Sequence, residues 1–181
     1  DDKILELGGE FAFPVNLSLN EIAAHYTPSV DDDTKAEGLL KIDLGVSVNG
    51  YIADTAFSVD LSEDSRFEGM INKNNKILDK VLDKLKENKS ASVVSDIGNV
   101  ISQELEDSEF IIVRNLSGHS LGKDAIHSGL TISNCINESN ISLNNMAFAI
   151  EPFLTTGRGE IYEGRDSEIF MLEDDERQVR D

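Results

Sequence analysis

Apolar positions along this chain follow two different periods. Across residues 39–46 every second residue is apolar, with Leu40, Ile42, Leu44 and Val46 on one face, which is the repeat a strand requires. Asn49-Gly50 follows, a dipeptide suited to the positive φ angles of a two-residue hairpin turn, and a second β-rich run covers 51–61. The pair predicts a β-hairpin. Apolar residues then recur at helical spacing, at Phe67, Met70, Ile71, Leu78, Val81, Leu82 and Leu85. A second helix is predicted over 93–105, with Val94, Ile97, Ile101 and Leu105 on one face and Ser90 or Ser92 as its cap. Beyond Glu109 the chain turns β-rich again, over 110–113, 125–132 and 146–153. Strands, two helices, then strands predict an α+β fold, with helices covering one face of an antiparallel sheet.

Length and charge narrow the picture. The 181 residues suffice for one domain with a sizeable core. With 35 acidic and 16 basic residues, the net charge of −19 sets the chain against nucleic-acid phosphates and anionic lipid, so neither nucleic acid nor membrane is expected as a partner. A solvated acidic surface explains the excess. A high-salt cytoplasm is the other explanation, and ten lysines among the sixteen basic residues speak against it. No run of eighteen apolar residues exists, and the opening DDKILELGGE lacks a secretory core. The absence of an initiator Met leads us to expect a missing upstream piece. Cys135 is the single cysteine, so an internal disulfide is ruled out; a buried thiol in a reducing cytoplasm is expected.

The hairpin itself carries candidate chemistry. If Asn49 and Gly50 form the turn, Val48 faces Tyr51 and Gly45 faces Asp54. Side-chain direction repeats every two residues, so Asp43 and Asp54 share a face, one diagonal step apart. Two carboxylates so placed repel each other unless a cation lies between them. The alternative is a pair of solvated surface charges. Gly45 opposite Asp54 favours a site, since a missing side chain leaves room.

Three histidines are present, His25, His119 and His127. His119 follows Ser117-Gly118, read as a flexible approach to a concave site, and His127 lies eight residues on. Glu151 ends the run MAFAIE before Pro152, on a face shared with Ala147 and Ala149. A surface glutamate at a strand end is the plainer reading of it. Two Asp, one His and one Glu form an oxygen-rich set that suits Mn, Fe, Co or Zn in a two-metal centre better than a structural zinc.

Four stretches, GGEFAFPVNLSLNEIAAHYTP, KIDLGVSVNGYIADTAFSV, NLSGHSLGKDAIHSGLTI and AFAIEPFLTTG, together resemble the type II methionine aminopeptidases, in the family's order. All three histidines fall at matched positions. The resemblance covers roughly residues 6 to 160. It implies the pita-bread fold, an antiparallel sheet backed by helices, here incomplete. It implies two divalent metal ions (Co, Mn, Fe or Zn), with Asp43 on one, Asp54 bridging both, and His119 and Glu151 on the second. It also implies removal of N-terminal methionine from peptides and nascent proteins by a hydroxide between the metals. His25, His127 and Glu151 would be catalytic, and Phe13 and Ile126 would line the methionine pocket beside His25 and His127. A cytoplasmic location and ribosome contact follow from the same resemblance.

One departure is plain. The family's fifth ligand, a bridging Glu near the C-terminus, has no counterpart in this chain. Residues 1–172 are therefore expected to be a partial catalytic domain, and 173–181 a charged tail that resembles the start of the type II helical insertion. Glu173 is the tail residue considered as a substitute ligand. Two rival functions remain: a non-catalytic pita-bread protein that binds a ribosome or protein partner, and an Xaa-Pro peptidase of the same fold.

Overall fold

A computed structural model describes residues 2–165, so the tail at 173–181 and Glu173 lie outside the described residues. After a short helix α1 (Asp2–Glu6), the chain forms β1 (Glu10–Leu19), β2 (Leu39–Val48) and β3 (Tyr51–Asp60), then α2 (Glu68–Asn88) and α3 (Val94–Leu105). Five short strands follow: β4 (Ile111–Ile112), β5 (Ser117–Leu121), β6 (Thr131–Ser133), β7 (Ala147–Phe148) and β8 (Leu154–Thr155). They form three antiparallel sheets among the described residues, in the orders β1-β2-β3, β4-β8 and β6-β5-β7.

The hairpin of β2 and β3 has the register the turn dictates: Val48 pairs with Tyr51, Gly45 with Asp54 and Asp43 with Ala56. Asn49 and Gly50 take φ of 55° and 82°, the left-handed values the turn demands. Strand β1 escaped the periodicity reading although Phe11, Phe13, Val15, Leu17 and Leu19 alternate perfectly. Pro14 obscures it, because a proline cannot donate to a ladder. The structure accommodates Pro14 on an edge strand, where the pairing with β2 slips between Phe13 and Asn16.

The core lies between the helices and the β6-β5-β7 sheet. Ile77 and Val81 of α2, Val94, Ile97 and Ile101 of α3, and Ile132 of β6 pack with Leu143, all nearly or wholly without solvent contact. Each such side chain contributes about 1.5–3 kcal/mol by leaving water. Leu82 was expected on the buried face of α2, but it is exposed and Ile77 takes the central place. Neither Ser90 nor Ser92 caps α3. Val93 precedes its first turn, and the carboxylate of Asp96 accepts the Val93 N–H at 3.0 Å. The Ser92 hydroxyl instead donates to Leu85 O at 3.3 Å, tying the two helices' ends together. Glu104 joins them again, accepting Lys76 at 3.1 Å and Lys73 at 3.5 Å. Cys135 is half-buried, its Sγ 3.9 Å from Arg114 O. Among the described residues no helix is long and apolar enough to cross a membrane.

Candidate metal centre

Four segments bring their polar side chains to one place. The hairpin supplies Asp43 and Asp54, strand β5 supplies His119, and the stretch after β7 supplies Glu151. Pairing of Ser120 with Phe148 and Leu121 with Ala147, continued by Ala149 N–H donating to His119 O at 2.8 Å, lays the Glu151 stretch beside the His119 strand. Gly118 is not the flexible approach that was expected. It is a buried strand residue, and a Cβ there would stand 2.1 Å from Ala149 O, so only glycine lets the two backbones come this close. Strand β7 itself ends at Phe148, three residues before Glu151, earlier than the expected stop at Pro152.

His119 Nε2 lies 3.0 Å from Glu151 Oε1 and 3.4 Å from Asp54 Oδ2. One ligand atom each from Asp54, His119 and Glu151 lies within 4.8 Å of the others. Their side chains are only 10%, 13% and 28% exposed, so water does little to screen them. Glu151 Oε1 nevertheless has no hydrogen-bond partner; the 3.0 Å approach of the imidazole lacks the alignment of a hydrogen bond. Asp43 Oδ1 and His119 Nδ1 are buried and unpartnered as well.

Electrostatics give the same picture. Burial, reinforced by the charges of Asp54 and Asp43, pushes Glu151 up to about 8. Burial and then neighbouring Asp54 push Asp43 up to about 6. Burial raises Asp54 too, although His119, Asp43 and His127 pull it back. Three sheltered carboxylates around one imidazole, with Asp43 Oδ1 and Glu151 Oε1 left without partners, suit a divalent cation: it would satisfy the orphaned oxygens and cancel the repulsion.

The expectation for Gly45 needs correction. The space its missing side chain leaves is occupied by the ring of Phe13, whose Cε1 lies 2.3 Å from where a Cβ would stand. Phe13 pairs with Gly45 across β1 and β2, directly behind the position opposite Asp54.

The other two histidines stand at the rim. His127 meets His119 edge to face with ring centroids 4.2 Å apart. Partial desolvation, then the proximity of His119 and His25, holds His127 below its ordinary value, which favours its neutral form. Its loop, 122–129, is pinned by Ser128, whose hydroxyl donates to Ser120 Oγ at 2.7 Å, and docks on the hairpin tip through Asp124 N–H to Gly50 O at 2.8 Å. His25 is exposed and sits at φ 64°, a left-handed conformation uncommon for a residue with a side chain. Its neighbours hold it there: Tyr26 O accepts Leu17 N–H at 2.7 Å, and Thr27 Oγ1 accepts Asn16 Nδ2 at 3.1 Å. Ile126 is half-buried in the 122–129 loop. Neither Phe13 nor Ile126 lines the cavity of about 230 Å³ that opens beside the carboxylates; its apolar wall comes from residues such as Met70, Ile71, Leu78 and Phe153.

Two residues at this centre were missed in the sequence: Asn74, and Asn134, which is only 2% exposed. A signal existed for Asn134. It shares the face of Leu130 and Ile132, so an amide interrupts an apolar strand face.

No protein-family model matches the chain. Curated relatives do. The chain is 39% identical over 175 residues to the methionine aminopeptidase of Pyrococcus horikoshii, and 38% identical over 176 residues to that of Methanocaldococcus jannaschii. The matches cover 94% and 95% of this chain but 58% of each relative, so the chain spans a little under three fifths of their length. Among solved structures, a methionine aminopeptidase from Thermotoga maritima superposes with a TM-score of 0.80 over 93% of this chain and 70% of that one, at 23% identity. That likeness assigns the pita-bread fold. The chain is thus homologous, over nearly its whole length, to part of the archaeal methionine aminopeptidases.

Proposed function

We propose that this chain carries the metal-binding centre of an enzyme that removes N-terminal methionine. The observation that carries the proposal is the buried, unpartnered group of Asp54, His119 and Glu151 beside Asp43. In this reading Asp43, Asp54, His119 and Glu151 would be ligands in the two-ion centre (Co, Mn, Fe or Zn) of the whole enzyme, with Asp54 as the ligand common to both ions. When bound, the ions supply a water nucleophile deprotonated at neutral pH and neutralise charge developing on the substrate's carbonyl oxygen.

The remaining work falls to the chain's own groups. Neutral His127 donates an N–H to the scissile carbonyl oxygen, stabilising the charge that grows there. His25 contacts the scissile nitrogen. Glu151 passes a proton to the leaving amine. Phe13 and Ile126 recognise the methionine side chain by apolar contact, which discriminates by about 1–3 kcal/mol per methylene. The substrates are peptides and nascent proteins that begin with Met, encountered in the cytoplasm, with the ribosome as a candidate partner.

The test is to titrate Co(II) or Mn(II) into the metal-free protein and assay a Met-Ala-Ser peptide beside Ala-Ala-Ser and Met-Pro peptides. Metal-dependent release of Met supports the reading. Metal binding without any cleavage would favour a binding protein, and preference for the Xaa-Pro bond would change the substrate class.

A further inference from the structure

Glu151 has a weakness that its position creates. It lies beyond the last ladder pair of β7, so no sheet hydrogen bond fixes its own carbonyl, and Pro152 after it has no N–H to offer. Two asparagines supply what the ladder does not. Asn134 Nδ2 donates to Glu151 O at 2.7 Å and also to Leu116 O at 3.2 Å. From the other side, Asn74 of α2 donates through Nδ2 to Pro152 O at 2.9 Å. Consecutive carbonyls are therefore held by two amides from different elements.

The fork at Asn134 matters most. Leu116 immediately precedes β5, the strand that carries His119, so one side-chain amide spans the strand of His119 and the backbone of Glu151. Both asparagines leave Oδ1 buried without a partner. Turning either amide over would set that oxygen against carbonyl oxygens, so only the observed orientation serves, and each amide is locked.

We infer that Asn134 and Asn74 are positioning residues that set the distance between the Glu151 carboxylate and the His119 imidazole by clamping the Glu151 and Pro152 carbonyls. This rests on the reading of Asp54, His119 and Glu151 as metal ligands. Neither asparagine touches the ion or the substrate. Their effect is on metal affinity and ligand geometry, as for other groups that orient metal ligands from outside.

The experiment is titration of Co(II) chloride into metal-free wild-type protein, N134A and N74A, followed by calorimetry and by the visible absorption bands of the bound ion. A core variant, Val94→Ala, serves as the control for lost stability, since Val94 lies in the core at the start of α3 and lines neither the cavity beside the carboxylates nor the one at Asn134. N134A is expected to weaken Co(II) binding about tenfold or more and to shift the absorption bands. N74A, which loses one hydrogen bond in place of two, should weaken binding in the same direction by a smaller factor than N134A. V94A should lower Tm and leave both the affinity and the bands unchanged. If N134A does not fold, N74A decides alone. Wild-type affinity and bands in N74A, or in a folded N134A, would overturn the positioning role while the metal reading stands. Failure of the wild type to bind Co(II) would overturn the metal reading and this inference with it.

Discussion

At the scale of the residue, the centre trades stability for cation affinity, and pH exposes the trade. Folding raises Glu151 from 4.5 to about 8 and Asp43 from 3.8 to about 6. Both groups bind protons more tightly in the folded state, so their contribution is fully present below about pH 4 and is lost as pH rises through 8. Metal-free protein should therefore melt lower at pH 8.5 than at pH 5, by about 3 °C or more, the shift expected for roughly 1 kcal/mol in a chain of this size. Saturating Co(II) should remove that slope. Scanning fluorimetry on both forms checks it, and a flat profile for the metal-free form would show that the carboxylates are better solvated than they look. The histidines should behave differently. His25→Ala and His127→Ala in a full-length version are expected to lower kcat for a Met-peptide by about 100-fold or more while metal content stays near that of the wild type. Metal analysis beside the assay decides, because a variant that loses its metal would be a ligand variant.

At the scale of the element, the decisive contact is between β5 and the stretch that runs from β7 to Glu151. Gly118 permits it, and a methyl group there would meet Ala149 O at 2.1 Å. Gly118→Ala should force the two segments apart, cost about 1–3 kcal/mol as an overpacked site does, and carry Glu151 away from His119. Denaturant melts and Co(II) titration should both register the change. A stability loss with unaltered metal affinity would mean that the Glu151 stretch shifts without moving its carboxylate. The hairpin plays the complementary part: its register puts both aspartates on one face, and its tip receives the loop that carries His127 through Asp124 and Gly50.

At the scale of the whole molecule, β3 has β2 on one side and, among the described residues, no ladder on its other side. Tyr51 and Phe57 of that strand are exposed. A strand edge of this kind invites pairing with another chain. Among the described residues the ligand atoms that meet closely come from Asp54, His119 and Glu151, with Asp43 beside them. The 181-residue chain by itself is therefore expected to bind fewer than two metal ions, to release Met slowly, and to associate at high concentration. Metal stoichiometry, Met-peptide turnover beside an archaeal relative, and light scattering after size exclusion test the three parts. Two tightly held ions with turnover equal to the relative's would show that another side chain completes the centre.

Local pattern was enough for the hairpin and for the buried face of α3. A two-residue period closed by Asn49-Gly50 admits one register, and that register alone places Asp43 and Asp54 on the same face. Val94, Ile97 and Ile101 at helical spacing likewise name the buried side of α3. The rest depended on contacts between distant segments. Pro14 hid β1 until its edge position showed why a proline is tolerated there. Gly45 looked like an opening, but the ring that fills it comes from another strand, and no local signal says so. Asn134 carries a trace of its role as an amide on an apolar face, yet its two acceptors lie 18 and 17 residues away along the chain. Whether Asp54, His119 and Glu151 meet at all was decided by the packing of β5 against the Glu151 stretch. Side-chain direction within one element follows from backbone periodicity, whereas separation between elements follows only from the completed packing.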